Sequence, residues 1–179
     1  MPATHIALLR GINVGTAKRV PMAELREIFA GLGYTGVSTL LNSGNVVFTA
    51  RRVTPARAEE RIEKAILARF GFPSSVTVIT AEELAAIVKE NSLREAATDH
   101  SRLLIAVFKT SDARAQLLPL AEQTWTPGLL ALGARAAYLW CPEGLLDSPL
   151  ATAVTRALGD AVTTRNWATV LKLQALAGA

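Results

Sequence analysis

Residues 5–15 read HIALLRGINVG, and residues 42–45 read NSGN between two further apolar runs. The apolar run 6–9 ends at an arginine and a glycine, which is typical of a buried strand leaving a sheet. Apolar residues then recur at helical spacing over residues 25–32. The NSGN segment predicts a tight turn between two strands, because Gly44 can adopt the positive φ that such turns need. This stretch therefore predicts a strand, a helix and two further strands, in that order.

The remainder of the chain completes this pattern and then repeats it. A helix capped by Thr54 and a strand over residues 76–79 give the order βαββαβ of a ferredoxin-like unit. Residues 80–83 form a capping box that opens a further helix. In the second half, Ser111 and Ser148 are the predicted N-caps of two single helices.

The repeated order decides the predicted fold class. We expect an α+β protein of two ferredoxin-like βαββαβ subdomains, residues 1–92 and 93–179, with an extra C-terminal helix over residues 166–177. Two units with the same order and similar length indicate a duplication of architecture.

Composition limits the function classes. Half of the 179 residues are hydrophobic and 19% are charged, which is enough for a packed core. No apolar run approaches the roughly 20 residues that cross a bilayer, and the N-terminus lacks a signal-peptide layout, so no membrane partner is expected. The single cysteine, Cys141, excludes an internal disulfide and predicts a cytoplasmic protein. A net charge of +4 favours anionic partners without requiring them.

The strand order predicts where polar groups meet. Strands one and three of such a unit pair antiparallel at the centre of the sheet, so the loop 10–19 and the turn 42–45 should share one edge with the loop 71–75. A helix N-terminus near Pro21 and flexible glycines can bind a phosphate or a carboxylate there, and arginine or lysine can neutralise it. The predicted ligand-binding residues are Arg10, Gly11, Asn13, Gly15, Lys18, Asn42, Ser43, Asn45 and Arg165.

A structural interpretation of the same residues stands beside this hypothesis. Glycines are common in turns, and loop asparagines usually bind neighbouring backbone groups. Arg165 lies where a short strand, 161–163, passes into the last helix, and an arginine there holds either backbone carbonyls or a ligand oxyanion. No phosphate-loop or dinucleotide motif is present, so no cofactor is predicted.

Three other features leave the function class open. A nucleic acid is the alternative partner, bound through the basic edge formed by the loop 10–19 and through Arg51 and Arg52, although the central strands offer only Phe48 for base stacking. His5, His100 and Cys141 share no catalytic motif and no metal-ligand spacing, so neither a reaction nor a catalytic residue is assigned. A non-catalytic interaction protein with tryptophan anchors is the third class, but core packing explains the tryptophans better.

Four segments together resemble a known family. Residues 6–15, 20–25, 42–48 and 164–167 resemble the bacterial domain-of-unknown-function family 1697 (DUF1697), in the right order and across nearly the whole chain. The resemblance implies a cytoplasmic protein with two ferredoxin-like subdomains, and it implies no particular reaction. Thr16 replaces a glycine that similar proteins often carry, and Ala168 replaces an asparagine.

Overall fold

The computed structural model describes residues 1–179, which form two compact units. The first unit comprises Met1–Leu84 together with Leu173–Ala179, and the second comprises Ala85–Lys172. The predicted domains 1–92 and 93–179 stay a prediction about which segments fold independently.

The first unit has the predicted βαββαβ order. Its four strands form one antiparallel sheet in the order β2-β3-β1-β4, so strands one and three lie side by side at the centre. The elements are β1 (Pro2–Leu9), α1 (Met22–Gly31), β2 (Thr35–Leu40), β3 (Asn45–Arg51), α2 (Pro55–Phe70) and β4 (Val76–Thr80).

The second unit repeats the arrangement with its own four-stranded antiparallel sheet in the order β6-β7-β5-β8. The α+β fold of two ferredoxin-like subdomains and a C-terminal helix is thus confirmed. The remaining elements are α3 (Ala81–Glu90), β5 (Leu103–Phe108), α4 (Ala113–Gln116), α5 (Leu118–Ala121), β6 (Leu129–Leu132), β7 (Ala136–Trp140), α6 (Pro149–Leu158), β8 (Val162–Asn166) and α7 (Trp167–Ala177).

Helices α1 and α2 supply the core of the first unit. Leu25 and Phe29 on α1, and Ile62 and Ile66 on α2, are fully buried, because each pair is spaced one helical turn apart on the same face. They belong to one hydrophobic cluster with Phe48 of β3, whose ring meets that of Phe29 edge to face at 5.2 Å. This packing fixes β3, and with it the turn that precedes it.

The helix starts confirm most of the predicted caps. The Thr54 hydroxyl accepts a hydrogen bond from the Arg57 amide at 3.3 Å, and the Ser148 hydroxyl accepts one from the Ala151 amide at 3.2 Å. In the capping box, the Glu83 carboxylate and the Thr80 hydroxyl accept reciprocal bonds from backbone amides at 2.9 and 3.1 Å.

The prediction that Ser111 caps a single helix is wrong. Asp112 precedes the first helical residue of α4, and neither residue makes a side-chain capping bond to this helix. The helix also ends after Gln116, and α5 begins again with Pro119 in its first turn. Proline has no backbone N–H and its ring crowds the preceding turn, so one continuous helix is disfavoured here. None of the helices combines the length and apolar character needed to cross a membrane.

Candidate functional site

The first unit brings three connections to one edge of its sheet, as the strand order predicts. The backbone amide of Leu9 donates to the Gly44 carbonyl at 2.8 Å, which joins the end of β1 to the turn before β3. The Arg10 amide donates to the Ser75 carbonyl at 2.9 Å, and the Ser74 hydroxyl donates to the Arg10 carbonyl at 2.9 Å. We call the loop 10–19, the turn 42–45 and the loop 71–75 together the loop edge.

Gly44 permits the close approach of the first two connections. Its φ is +81°, and a Cβ placed there would lie 2.6 Å from the Leu9 Cβ and 2.9 Å from the Ile12 Cδ1. Only glycine tolerates both the positive φ and this contact. The turn glycine therefore positions the loop as well as reversing the chain.

Asn13 holds the loop together. Its Oδ1 accepts a hydrogen bond from the Val20 amide at 2.8 Å. Its Nδ2 donates to the Val20 carbonyl at 2.9 Å and to the Asn42 carbonyl at 2.8 Å, so both amide protons are used within the protein. Asn13 adopts a φ of +53°, a region that asparagine tolerates better than most residues. For this residue the structure supports the structural interpretation.

Asn45 has a similar structural role in the turn. It is fully buried, and its Nδ2 donates to the Leu40 carbonyl and to the Ser43 hydroxyl, both at 2.9 Å. Asn45 therefore closes the β2–β3 turn from inside.

A depression opens beside these two asparagines at the start of α1. It has a volume of about 350 Å³ and is lined by Asn13, Arg19, Val20, Pro21, Met22 and Asn42. Pro21 precedes the helix and provides no side-chain cap, so no side chain accepts from the amides of the first turn at this position. Glu24, the acidic residue of that turn, is bound instead by Arg69 at 2.9 Å. We call this hollow the α1 depression.

Of the predicted residues, the structure brings Asn13 and Asn42 to the α1 depression. Arg10 is half-buried next to β1, and Lys18 is exposed on the loop with a φ of +51°. Gly11 and Gly15 provide positive-φ bends on the same loop, and Ser43 and Asn45 complete the turn. None of these six residues is among those that line the depression.

Arg19, Pro21 and Met22 line the depression although they are absent from the predicted set. The signal was in the sequence, since a basic residue placed just before a helix N-terminus is suited to an anion.

Arg165 lies within β8 of the second unit. The predicted strand 161–163 was too short, because β8 runs from Val162 to Asn166 and pairs Arg165 with Ile105 of β5. The Arg165 Nη1 donates to the Thr164 carbonyl at 2.8 Å, and burial lowers the pKa of its guanidinium to about 10. Its inclusion in the site of the first unit stays a prediction.

Of the three residues considered for catalysis, His100 is exposed, whereas His5 and Cys141 have structural contacts. His5 is buried and stacked on Phe48 at 5.3 Å, and its Nδ1 lies 2.9 Å from the Ala3 carbonyl oxygen. Cys141 is buried 3.2 Å from the Ser148 hydroxyl, and burial raises the pKa of its thiol, which disfavours the nucleophilic thiolate. The chain gathers no trio of histidine, cysteine and carboxylate side chains suited to a metal ion. Phe48 is fully buried, so its face is not available to a nucleotide base.

The fold and its loop edge define an α+β protein built from duplicated ferredoxin-like units. The chain belongs to the family described as protein of unknown function (DUF1697), whose profile matches residues 3–138. The chain is also similar to a solved structure, the conserved bacterial protein SP0830 from Streptococcus pneumoniae, with a TM-score of 0.77 and 23% sequence identity over 99% of each chain. At this identity the likeness concerns the fold. No curated protein matches the chain.

Proposed function

We propose that the first unit binds a small phosphate- or carboxylate-bearing ligand at the loop edge, between the loop 10–19 and the turn 42–45. The observation that carries this proposal is the α1 depression, where the uncapped start of α1 lies beside Arg19. The amides of a first helical turn point out along the helix axis, and the helix dipole favours negative charge at this end. A ligand oxyanion is the natural partner for them.

Arg19 supplies the charge that backbone amides lack. A guanidinium binds a carboxylate or a phosphate through two parallel hydrogen bonds, which adds orientation as well as attraction. Lys18 stands next to it on the exposed part of the loop. The two side chains together make this edge attractive to anions before contact is made.

Asn13 contributes by keeping the loop in one shape. Because its three hydrogen bonds tie the loop to Val20 and to the turn, little conformational entropy is lost when a ligand binds. In this proposal the asparagines shape the site, while the α1 amides and Arg19 contact the ligand.

The proposed setting is the bacterial cytoplasm. The single cysteine is buried and the chain has no internal disulfide to maintain, which fits a reducing compartment. The similar solved structure is a bacterial protein.

The test is a titration of the isotope-labelled protein with inorganic phosphate and, separately, acetate, followed through the amide resonances of the chain. We expect saturable shifts centred on Arg19, Met22 and Ala23. Arg19→Ala should weaken phosphate binding about tenfold, the loss of one charge-assisted contact. Arg26→Ala on the same helix is the matched control, because Arg26 is bound to Thr39 at 2.7 Å and does not line the depression.

Two results would contradict the proposal. One is an equal loss of affinity in Arg19→Ala and Arg26→Ala, which would mean that the anion responds only to net charge. The other is a set of shifts that avoids the start of α1 altogether.

A further inference from the structure

A second basic hollow lies elsewhere in the first unit, between the end of β3 and the start of α2. Its volume is about 650 Å³, and four of its lining residues are arginines: Arg51, Arg52, Arg57 and Arg61. Tyr34 forms part of the wall, and no carboxylate side chain lines it. We call this hollow the arginine groove. It shares no lining residue with the α1 depression.

The fold collects these arginines from two elements. Arg51 ends β3 opposite Pro2, and Arg52 follows it in a left-handed turn with a φ of +52°. Arg57 and Arg61 are four residues apart on α2, so they lie on the same face of the helix. Like charges gathered in this way repel each other, and an anionic ligand would remove that repulsion.

Two of the guanidinium groups are held by weak or partial contacts. The Arg61 guanidinium carbon lies 5.4 Å from the centre of the Tyr34 ring, and its Nη2 donates to the Leu32 carbonyl at 2.9 Å. Arg57 pairs with Glu60 at 2.6 Å, but both side chains are about two-thirds exposed, so water and salt weaken this pair. Each arginine has five N–H donors, and these contacts use only some of them.

Tyr34 provides an independent indication of a ligand. The residue is 5% exposed, and its buried hydroxyl makes no well-formed hydrogen bond in the protein, although the Arg61 guanidinium interacts with it. An unpaired buried hydroxyl is costly, and a native structure usually satisfies it. Burial raises the pKa of this phenol while the Arg61 charge lowers it, so the group stays a donor at neutral pH. A ligand acceptor that reaches the hydroxyl by displacing the Arg61 guanidinium would relieve the cost.

We propose that the arginine groove binds a small molecule carrying two or more linked phosphate groups. Four guanidinium groups match several phosphate oxygens better than a single carboxylate. The volume falls within the range of small-molecule pockets, about 300 to 1,000 Å³. The groove offers no exposed ring for stacking a base, because Tyr34 is buried and covered by Arg61, and this favours a compact oligophosphate over a single-stranded nucleic acid.

The experiment is calorimetric titration of the full chain with tripolyphosphate, with inorganic phosphate and short single-stranded RNA as comparison probes. Arg57→Gln should weaken tripolyphosphate binding about tenfold, and Arg51→Gln combined with it about a hundredfold, as expected for the loss of one and two charge-assisted contacts. Arg69→Gln is the matched control, because Arg69 is also an exposed arginine of α2 but pairs with Glu24 outside the groove. That variant should bind within about twofold of the parent protein.

Tyr34→Phe separates ligand binding from folding. It removes only a hydroxyl that makes no well-formed hydrogen bond in the free protein, so the unfolding midpoint should not fall. Tripolyphosphate affinity should drop about threefold to tenfold for one lost hydrogen bond to the ligand. A merely structural tyrosine would show no such drop. Arg26→Ala, which changes an arginine that lines neither hollow, should leave tripolyphosphate binding unchanged. The amide shifts at Arg19, Met22 and Ala23 report the loop edge separately, so failure at the arginine groove and failure at the loop edge can be told apart.

Three results would overturn this inference. Equal weakening by Arg57→Gln and Arg69→Gln would show that only net charge matters. Inorganic phosphate that binds as tightly as tripolyphosphate and is weakened equally by Arg57→Gln would exclude recognition of linked phosphates in the groove. Tighter binding of RNA that depends on the same arginines would identify a nucleic-acid surface instead.

Discussion

The two units have the same strand topology but differ in the loops and helices that connect the strands. In the first, a loop from Arg10 to Pro21 connects β1 to α1, and α1 is continuous. In the second, the equivalent connection runs only from Lys109 to Asp112 and leads into two short helices. The sheets have equivalent strand orders, so the topology alone does not create the loop edge. The edge depends on the longer loop and on the residues that hold it against the β2–β3 turn.

The helices that follow the third strand of each unit differ as well. Helix α2 carries Glu59 and Glu63, whose carboxylates accept hydrogen bonds from the Val78 and Val76 amides of β4 at 2.8 Å each. β4 is an edge strand, and unpaired amides on such a strand are a liability that proteins usually cover. The equivalent helix α6 reads PLATAVTRAL and has no carboxylate. The first unit therefore covers this edge with helix carboxylates that α6 does not possess.

The largest expected effect concerns the contact between loop and turn. Gly44→Ala should lower the free energy of unfolding by about 2 to 4 kcal/mol, because it adds left-handed strain to an overpacked contact with Leu9 and Ile12. Gly11→Ala is the control, since Gly11 has a φ of +71° but open space around it, and should cost only about 1 to 2 kcal/mol. Urea unfolding followed by circular dichroism measures both. Equal losses would mean that the close approach at Gly44 contributes nothing.

The meeting of loop and turn was predictable because it follows from strand order. Once β1 and β3 pair antiparallel, Leu8 lies opposite Asn45 and the adjoining connections must meet. The partners of individual side chains were not predictable. The three bonds of Asn13 depend on a left-handed backbone that non-glycine residues rarely adopt. Polar residues in a loop look alike in sequence, whether they bind a ligand or their own backbone.

Other features were partly indicated by the sequence, but their full arrangement depends on tertiary structure. Pro119 indicated an interruption in the helix after β5. Arg57 and Arg61 show the spacing of one helix face, and Arg51 and Arg52 precede them closely in sequence. The end of β3 and the start of α2 form one hollow with Tyr34 because of tertiary packing. The hydrophobic periodicity of the sequence does not predict such packing. The arginine groove is therefore visible in the structure and only suggested by the sequence.

The next effect tests the covered edge of β4. Glu59→Ala should destabilise the protein by about 2 kcal/mol, because the amide of the fully buried Val78 loses its acceptor. Glu59→Gln keeps an acceptor of the same length and should cost less than about 1 kcal/mol. Native-state hydrogen exchange at the Val78 amide checks the cause, since it should quicken in the alanine variant. If the protection of the Val78 amide were unchanged, the Glu59 carboxylate would not be what stabilises β4.

A smaller effect compares the caps of equivalent helices. Ser148→Ala should cost about 1 to 2 kcal/mol, since the buried hydroxyl both caps α6 and donates to the Cys141 sulfur at 3.2 Å. Thr54→Ala should cost about 0.5 to 1 kcal/mol, because this cap of α2 is exposed and its bond is 3.3 Å long. The two variants are compared by urea unfolding. The reverse order of losses would show that burial does not strengthen the cap.

The smallest effect contrasts a tyrosine of each unit through its pH dependence. Tyr138 is buried and donates to the Ile87 carbonyl at 2.7 Å, and burial together with the Glu90 charge raises the pKa of its phenol. Since the folded pKa is raised, the unfolded phenol ionises first, and the free energy of unfolding should fall as pH rises past 10.0, the ordinary pKa of a tyrosine. The expected loss is about 1 kcal/mol between roughly pH 10 and 11. Below that range this tyrosine adds no pH dependence.

Tyr138→Phe should remove this alkaline slope, even though losing the hydrogen bond lowers stability at neutral pH by about 1 kcal/mol. Tyr34→Phe is the comparison in the first unit, where burial raises the phenol pKa but the Arg61 charge opposes it, so a smaller slope should disappear. Urea unfolding at several pH values measures the slope. The Tyr138 variant is followed by tryptophan fluorescence, because Trp125, Trp140 and Trp167 all lie in the second unit. Circular dichroism follows the Tyr34 variant. If parent and Tyr138→Phe lose stability in parallel above pH 10, the buried phenol is not the group that titrates, because only a proton retained in the folded state couples ionisation to unfolding.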